Sequence, residues 1–173
     1  AGDVAGIKLV TVAPKNSQKN LPSIQGTYLL LDVDTGSMKA MMDAPALTAK
    51  RTAAASALAS RFLSRPDSET LLVIGTGTLA PQLIAAHAGV RPIKRVMVWG
   101  RSQEKAEAVC QKVSHLDINC RPIDDIAGHI AQADIISCAT LSKDPLVFGD
   151  WLRPGQHLDM VGAYRPDMRE MDD

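Results

Sequence analysis

Aromatic side chains are scarce in this sequence, which has two tryptophans, two tyrosines and two phenylalanines among 173 residues. So few rings argue against a surface that binds single-stranded nucleic acid by base stacking. Neither sign of charge prevails, because 19 lysines and arginines balance 19 aspartates and glutamates. A net charge of zero excludes a broad electrostatic surface for DNA or for an anionic membrane, but it leaves room for a local basic pocket.

Cysteine is also rare. The three residues, Cys110, Cys120 and Cys138, are widely spaced and form no Cys-x-x-Cys or Cys/His ligand pattern. This spacing indicates neither a zinc site nor a disulfide scaffold, and it fits a protein of the reducing cytosol. Long apolar runs are missing as well, since none reaches the ~20 residues that a helix needs to span a bilayer. The sequence therefore predicts a cytoplasmic protein that has no metal site and binds neither membranes nor nucleic acid.

What is present is an ordinary globular composition, with 46% hydrophobic and 22% charged residues. A chain of this length can hold one domain, or one domain and a part of another. The pattern of elements changes near Pro66. Before it, three segments rich in β-branched and aliphatic residues predict a hairpin or meander, at residues 7–12, 27–33 and 37–42. An alanine-rich helix with Thr48 as its N-cap is predicted over residues 47–63.

After Pro66, short apolar segments alternate with helical ones. The apolar segments have the length of strands that are buried on both faces, as in a parallel sheet. Strands are predicted at residues 70–74, 95–99, 118–121, 134–138 and 157–161, and helices at 79–88, 102–114 and 123–132. This order predicts an α/β fold with right-handed crossovers, a Rossmann-type doubly wound parallel sheet. We expect this domain over residues 67–173 and a separate, mixed α+β part over residues 1–66.

The strongest chemical signal is a glycine-rich turn, Gly-Thr-Gly-Thr-Leu-Ala, which follows a predicted strand and opens a predicted helix. Gly75 would make the tight turn, Gly77 would let a pyrophosphate approach its backbone, and Ala80 would let the helix pack close to the strand. The helix N-terminus would then offer free N–H groups to the phosphates. The pattern predicts a dinucleotide-binding turn formed by Gly75, Thr76, Gly77, Thr78, Leu79 and Ala80. The alternative is a glycine-rich turn that holds no ligand.

The end of the next predicted strand bears on which dinucleotide is bound. NAD-binding proteins usually have an aspartate or glutamate there, ~20 residues after the glycines, which holds the ribose 2′-hydroxyl. This sequence has Trp-Gly-Arg-Ser instead. The Arg101 guanidinium could pair with a 2′-phosphate and the Ser102 hydroxyl could add a hydrogen bond, so that NADP(H) is favoured and NAD(H) remains possible. The alternative is that Arg101 is an ordinary solvated arginine.

Other candidates lie at the carboxyl ends of later strands, where ligands bind in open α/β sheets. They are the segments that end two of these strands, residues 138–140 and residues 161–167. Gly162 would permit the close approach of a flat ring such as nicotinamide. Cys138 has no histidine partner in the pattern, so packing explains it better than nucleophilic chemistry. Arg51 lies among small residues early in the alanine-rich helix and suggests an anion site, although a surface arginine fits this pattern better.

Four segments of the sequence together carry a resemblance to a known family. The first two are residues 6–16, Gly-Ile-Lys-Leu-Val-Thr-Val-Ala-Pro-Lys-Asn, and residues 43–54, Asp-Ala-Pro-Ala-Leu-Thr-Ala-Lys-Arg-Thr-Ala-Ala. The others are the turn at residues 75–77 and residues 87–92, His-Ala-Gly-Val-Arg-Pro. They occur in order over essentially the whole chain, and in this they resemble the ornithine cyclodeaminase/mu-crystallin family.

The resemblance implies a Rossmann domain and a second domain, for substrate binding and dimerisation, assembled from both ends of a longer chain. This sequence would be an internal piece of such a chain, with the Rossmann domain incomplete at its C-terminal end. The family's lysine for the substrate carboxylate falls on Lys8, and its carboxylate-binding arginine falls on Arg51. Lys8 would also be catalytic, because a lysine near the imine could polarise or protonate it. The family's cofactor contacts fall on the turn at residues 75–80, on Arg101 and Ser102, and, around the nicotinamide, on Ala139, Thr140, Val161 and Gly162.

One departure from the family pattern bears on the reaction. Ornithine cyclodeaminases have an aspartate where this sequence has Ala163 and Tyr164, and the run that follows resembles the ketimine-reductase and mu-crystallin branch. We therefore expect an NAD(P)H-dependent oxidoreductase that reduces Δ1-pyrroline-2-carboxylate or Δ1-piperideine-2-carboxylate to L-proline or L-pipecolate.

Three other functions stay open under the same resemblance. The first is ornithine cyclodeaminase, a lyase that converts L-ornithine to L-proline and ammonia with NAD. The second is a non-catalytic protein that binds NADPH and a small ligand, and the third is an opine or alanine dehydrogenase. In each case the resemblance implies a small-molecule ligand and a homodimer formed through the substrate domain.

Overall fold

The computed structural model describes residues 3–19, 21–22 and 24–173. The chain divides into two units, Ala1–Arg51 and Thr52–Asp173. The division lies within a helix and comes earlier than the domain boundary that we expect at residue 66. That boundary stays a prediction.

The first unit contains an antiparallel sheet with three strands in chain order, β1 (Val4–Val12), β2 (Ile24–Asp32) and β3 (Met38–Asp43). In the turn between β2 and β3, Asp32 Oδ1 accepts hydrogen bonds from the backbone N–H groups of Asp34 and Thr35. Gly36 in this turn has a φ of 68°. The sequence predicts each of these strands to within a few residues. A 3-10 helix, Pro14–Lys19, lies between β1 and β2.

Helix α1 (Ala44–Leu63) follows β3 directly. The expectation that Thr48 is its N-cap is wrong, since Thr48 lies more than one turn inside the helix. Pro45 suits the first turn, where the N–H that proline lacks would have no partner within the helix. Residues 52–63 of α1 belong to the second unit. Their buried face carries small side chains, those of Ala53, Ser56, Ala57 and Ser60.

The second unit is built on five strands, β4 (Thr70–Ile74), β5 (Arg95–Trp99), β6 (Asn119–Ile123), β7 (Ile135–Cys138) and β8 (His157–Met160). All neighbouring strands pair in parallel, and their order across the sheet is β6-β5-β4-β7-β8. Three helices connect the first four strands, α2 (Leu79–Ala88), α3 (Gln103–Lys112) and α4 (Ala127–Ile130), and a 3-10 helix, Gly149–Trp151, precedes β8. The predicted α/β fold with a Rossmann-type parallel sheet is confirmed.

Apolar side chains cover both faces of this sheet. Leu71 and Val73 of β4 belong to one core cluster, and Leu72 and Ile74 of the same strand belong to another, because successive side chains of a strand point to opposite faces. All five residues of β4 are buried. The continuous apolar run in the sequence therefore marks a strand that is covered on both sides, as predicted.

The largest difference from the predicted elements lies after the third strand of this sheet. A helix is expected over residues 123–132, but β6 continues to Ile123 and only the single turn α4 forms. Pro122 can take part in β6 because this strand lies at the edge of the sheet, where an N–H is not needed on the outer side. Asp125 accepts hydrogen bonds from backbone N–H groups, including that of Gly128 at 2.6 Å, and so holds a turn where the helix was expected to run.

Candidate functional site

The glycine-rich turn follows β4, the central strand of the parallel sheet. Gly75 has a φ of 122°, a conformation that side chains with a Cβ rarely adopt. A Cβ at this position would lie 2.5 Å from the carbonyl oxygen of Ala139. The Gly75 N–H donates to the Trp99 carbonyl at 2.9 Å, so the turn is held against β5 as well. The need for glycine here comes from the fold itself.

Gly77 has different surroundings, because a Cβ placed on it would meet no atom within 4 Å. The residue is exposed, whereas Ala80, the second residue of α2, is only 1% exposed and packs into the core. Thr78 makes no side-chain capping hydrogen bond to the N–H groups of the first turn of α2. The turn thus has open space above Gly77 and N–H groups free of a side-chain cap, which is the arrangement that a pyrophosphate needs.

The end of β5 lies beside this turn. A Cβ on Gly100 would collide with the Thr76 methyl group, so these two strand ends pack closely. Arg101 follows and is exposed. The Ser102 hydroxyl accepts a hydrogen bond from the Lys105 N–H at 3.4 Å and is the N-cap of α3. Ser102 therefore has a structural role in addition to the cofactor contact that the sequence predicts.

A cleft of about 450 Å³ opens at the carboxyl end of β6. Its lining residues are Gln103, Arg121, Pro122, Ile123, Asp124 and His129. Trp99 Nε1 donates to the Asp124 carbonyl at 3.3 Å, which links this end of β6 to the end of β5. Another cleft, of about 230 Å³, involves the first residues of β4, β5 and β6 and so lies at the opposite end of the sheet. Neither cleft was expected from the sequence.

The ends of β7 and β8 complete the row of strand ends. The Ala139 N–H donates to the Ile74 carbonyl at 2.9 Å, and the Val161 N–H donates to the Cys138 carbonyl at 2.8 Å. The space next to Gly162 is occupied by protein, since a Cβ there would collide with the Thr140 carbonyl and with a side-chain oxygen of Glu170. Packing between the loops by itself requires glycine here, and the approach of a flat ring to Gly162 stays a prediction.

Glu170 is a residue of this region that the sequence analysis missed. It is 2% exposed, and its carboxylate accepts hydrogen bonds from both the N–H and the hydroxyl of Thr140 and from the N–H of Gly162. The thiol of Cys138 lies close by. Burial, and then the charge of Glu170, raise the pKa of this thiol well above its usual range, so that it stays protonated. This agrees with a packing role for Cys138.

The structure therefore brings together every predicted cofactor contact of the second unit. Residues 75–80, Arg101 and Ser102, Ala139 and Thr140, and Val161 and Gly162 follow the carboxyl ends of four neighbouring strands, β4, β5, β7 and β8. The order of the strands reverses between β4 and β7, and the crevice at such a switch point is where open α/β sheets bind ligands. The residues present fit a dinucleotide.

Lys8 and Arg51 belong to the first unit. Lys8 is half-buried on β1, opposite Tyr28 of β2, and its ammonium lies 3.4 Å from the hydroxyl oxygen of Thr48. Arg51 is exposed and follows Thr48 by three residues on α1. Because residues three apart share a face of a helix, Arg51 is one turn further along the face that meets Lys8. The binding of one carboxylate by both cations stays a prediction.

The resemblance segment at residues 87–92 has a structural explanation. His87 is fully buried, with Nε2 3.4 Å from a carboxylate oxygen of Asp159, to which the Ser137 hydroxyl also donates at 2.7 Å. Burial works to raise the pKa of Asp159, but the nearby His87 ring and the hydrogen bond from Ser137 outweigh it and lower that pKa. The Arg91 guanidinium donates to the Ser64 carbonyl at 2.9 Å and to two other carbonyls at the end of α1. These contacts tie the loop after α2 to carbonyl groups at the C-terminal end of α1, where partners within the helix run out.

Residues 3–19, 21–22 and 24–173 offer neither a cluster of metal ligands nor a membrane-spanning helix. No group of three or more histidine, cysteine, aspartate and glutamate side chains there could hold a metal ion. None of the helices in this part is both long enough and apolar enough to cross a membrane.

Comparison with known proteins matches the whole chain, residues 1–173, to the model of the ornithine cyclodeaminase/mu-crystallin family. The Δ1-pyrroline-2-carboxylate reductase of Paracoccus denitrificans is 40% identical over 169 residues, covering 97% of this chain and 54% of that protein. The ketimine reductase mu-crystallin of Rattus norvegicus is 38% identical over 173 residues, covering 100% of this chain and 54% of that protein.

Among solved structures, Δ1-pyrroline-2-carboxylate reductase of Thermococcus litoralis, in complex with NADH and L-proline, matches with a TM-score of 0.89 and 33% identity. The match covers 96% of this chain and 52% of that one. The chain thus spans about half the length of the relatives it matches. By the match along its whole length, the chain belongs to the ornithine cyclodeaminase/mu-crystallin family.

Proposed function

We propose that the complete protein carrying this chain reduces a cyclic imino acid with NAD(P)H, converting Δ1-pyrroline-2-carboxylate or Δ1-piperideine-2-carboxylate to L-proline or L-pipecolate. The observation that carries the proposal is the row of strand ends around the turn at residues 75–80, with open space above Gly77. The turn occurs in a chain that is 40% identical to a Δ1-pyrroline-2-carboxylate reductase over nearly its whole length. The pyrophosphate would lie at the N-terminus of α2, against the backbone of the turn.

Lys8 and Arg51 would provide the positive charges that bind the substrate. When bound, the dinucleotide supplies the hydride, while the protein binds and aligns the reactants. The ammonium and the guanidinium would hold the substrate carboxylate by charge-assisted hydrogen bonds. The Thr48 hydroxyl, 3.4 Å from Lys8 Nζ, would keep the ammonium in place. Lys8 would also polarise or protonate the imine nitrogen, which gains a proton when the imine carbon gains the hydride.

NADP(H) is the dinucleotide that the end of β5 favours. Arg101 is exposed there, and the residues after β5 include no carboxylate before Glu104, which lies inside α3. A guanidinium pairs well with a 2′-phosphate, and no acidic side chain is placed to prefer a ribose hydroxyl. The similar reductase of Thermococcus litoralis is in complex with NADH, so the preference between the two dinucleotides is a matter for measurement.

The lyase alternative is less well supported by the loop after β8. Ala163 and Tyr164 are exposed and offer no carboxylate. The next acid along the chain, Asp167, pairs with Lys143 at 3.3 Å and Arg165 at 3.0 Å. The hydrogen bond from Lys143 lowers the pKa of Asp167 below its usual range. A carboxylate held by two cations is poorly suited to accept a proton from a substrate amino group.

A cytoplasmic homodimer formed through the substrate domain completes the proposal. The three cysteines are free, which suits a reducing compartment. The sheet of the first unit exposes large apolar side chains, among them Leu9 at 66% and Met41 at 68%. Exposed apolar surface of this kind favours burial against another surface. Light scattering of the complete protein after size-exclusion chromatography measures whether it is a dimer.

The activity is tested by incubating the complete protein with Δ1-pyrroline-2-carboxylate and, in parallel, with L-ornithine and with pyruvate plus an amine. We expect oxidation of NADPH with the imino acid, faster than that of NADH, and formation of L-proline. Ammonia and L-proline formed from L-ornithine with NAD would establish the lyase instead. Oxidation with pyruvate plus an amine would establish the dehydrogenase, and binding of NADPH without any turnover would establish the non-catalytic protein.

A further inference from the structure

The buried carboxylate of Glu170 connects two loops of the candidate site. Its Oε1 atom accepts hydrogen bonds from the N–H of Thr140 at 2.6 Å and from the hydroxyl of Thr140 at 2.7 Å. Its Oε2 atom accepts a hydrogen bond from the N–H of Gly162 at 2.8 Å. Thr140 lies in the loop after β7, and Gly162 lies in the loop after β8. One side chain therefore joins the ends of two adjacent strands.

The contact leaves little freedom to these loops. A Cβ on Gly162 would collide with Oε1 of Glu170 and with the carbonyl of Thr140, so the loops approach as closely as their backbones allow. Glu170 is 2% exposed. A hydrogen bond to a charged group contributes more to stability when it is buried than when it is exposed to water. The spacing between the loops is thereby set by the length of the Glu170 side chain.

The backbone of Glu170 is itself fixed. Its carbonyl accepts hydrogen bonds from the N–H groups of Leu146 at 2.9 Å and Val147 at 3.0 Å. The next residue, Met171, forms a parallel bridge with Val147, which is fully buried. The backbone of Glu170 and its carboxylate thus both connect the segment after β8 with the segment after β7.

One of the joined loops borders the dinucleotide-binding turn. A Cβ on Gly75 would lie 2.5 Å from the carbonyl of Ala139 and 3.4 Å from the methyl carbon of Thr140. The loop after β7 is therefore in contact with the turn after β4 on one side and is tied by Glu170 on the other. The side-chain hydrogen bonds of Glu170 all go to the loops after β7 and β8, so we expect its influence on a bound dinucleotide to act through these loops.

We propose that Glu170 is a positioning residue, whose buried carboxylate fixes the loops after β7 and β8 as the surface that holds the nicotinamide end of the dinucleotide. This inference rests on the proposed function, because it assumes that a dinucleotide binds across the strand ends. The competing explanation is that Glu170 serves stability alone, by satisfying buried N–H groups. The two explanations differ in what they predict for turnover and for the bound nicotinamide ring.

The chain offers a matched control at the opposite end of the sheet. Asp134, just before β7, accepts hydrogen bonds from the N–H groups of Glu69 and Thr70, both at 2.9 Å, and from the Arg65 guanidinium at 2.5 Å. It is, like Glu170, a carboxylate that joins neighbouring segments of the chain. It lies at the amino ends of the strands, away from every predicted cofactor contact. Asp134→Asn therefore reports the cost of losing such a connection without touching the candidate site.

The first test compares Glu170→Gln with Asp134→Asn in the complete protein. In Glu170→Gln one acceptor oxygen is replaced by an NH2 group, which cannot accept a hydrogen bond. Either the donors of Thr140 or the N–H of Gly162 therefore lose their partner, and one of the two loops is no longer held by the side chain. We expect kcat to fall roughly 100-fold, as for reactants misplaced by about 1 Å, while KM for NADPH changes less than about threefold. Asp134→Asn should lower the melting temperature by a similar amount and keep the wild-type kcat. Equal losses of kcat in the two variants, or a wild-type kcat in Glu170→Gln, would overturn the proposal.

A second measurement is independent of turnover. Saturation-transfer NMR with NADP+ reports which protons of the dinucleotide contact the protein. We expect transfer to both adenine and nicotinamide protons in the wild type, and loss of the nicotinamide signals alone in Glu170→Gln. Should that variant fail to fold, Thr140→Val removes one of the three hydrogen bonds to Glu170, together with the one that Thr140 accepts from the Ser142 N–H, and should show the same selective loss to a smaller degree. Unchanged nicotinamide signals would refute the positioning role.

The two measurements also separate this inference from the proposed function. A protein that binds the dinucleotide but reduces no cyclic imino acid would overturn the proposed function, and the NMR comparison would still decide the role of Glu170. A complete protein that binds neither NADP+ nor NAD+ would overturn both.

Discussion

Replacing Gly77 by alanine should separate folding from cofactor binding. The new methyl group would meet no protein atom within 4 Å, so the free energy of unfolding should change by less than about 0.5 kcal/mol. In the proposed complex the same space receives the pyrophosphate. Loss of one hydrogen bond to a charged phosphate costs roughly 1.5–3 kcal/mol, which corresponds to a Kd for NADPH raised roughly 10- to 150-fold.

Gly75→Ala is the control for this variant, because the same substitution two residues earlier acts on the fold. Its φ of 122° is unfavourable for alanine, and the Cβ would lie 2.5 Å from a backbone carbonyl. Strain and overpacking together should lower the free energy of unfolding by roughly 2–4 kcal/mol.

Two measurements on the complete protein are needed for each variant. Urea unfolding without dinucleotide gives the stability, and a titration that follows NADPH fluorescence at constant salt concentration gives the Kd. A wild-type Kd in Gly77→Ala would refute the reasoning, since the dinucleotide would then not cross the turn at this residue. A large loss of stability in the same variant would show that the space above Gly77 is not open.

Three further predictions concern single side chains. Arg101→Ala should raise the Kd for NADPH roughly tenfold, the effect of one charge-assisted contact, and leave the Kd for NADH unchanged; equal changes would mean that Arg101 does not meet a 2′-phosphate. Lys8→Ala should abolish most turnover while NADPH binding stays within about twofold of wild type, and an equal loss of both would contradict its role at the substrate. Burial lowers the pKa of His157 below its usual 6.5. Just below pH 6.5, His157 is therefore protonated in the unfolded chain but stays neutral in the folded chain. The contribution of His157 to the free energy of unfolding should therefore be fully present above pH 6.5 and be lost as the pH falls. Urea unfolding of His157→Asn should show a smaller decrease of this free energy with falling pH. The same decrease in the variant as in the wild type would mean that other groups cause it.

The elements of the parallel sheet could be predicted because each depends on its own residues. A strand such as β4, buried on both faces, needs an unbroken apolar run, and the turn after it needs glycine and small residues at fixed positions. Helix α4 could not be predicted in the same way. Its length depends on Pro122 at the sheet edge and on the hydrogen bonds of Asp125, and both depend on where the chain lies in the fold.

Side chains that act across the fold were missed for a related reason. Thr48 resembles an N-cap when only its neighbours along the chain are considered, but α1 begins directly after β3 and leaves its hydroxyl beside Lys8. Glu170 is 30 residues from Thr140 and lies in a segment without regular structure, so no periodic pattern marks it. Such contacts become visible only when the strand ends are placed side by side.

Two carboxylates perform similar work at the two ends of the sheet. Asp134 joins segments at the amino ends of the strands, and Glu170 joins the loops at the carboxyl ends. By chemistry alone both serve the fold, since each satisfies N–H groups that would otherwise be without partners. Ligands of open α/β sheets bind at the carboxyl ends, so only there does the spacing between two loops also shape a binding surface. The location of Glu170 in the sheet, rather than its number of hydrogen bonds, is therefore the reason to expect that its loss affects turnover beyond stability.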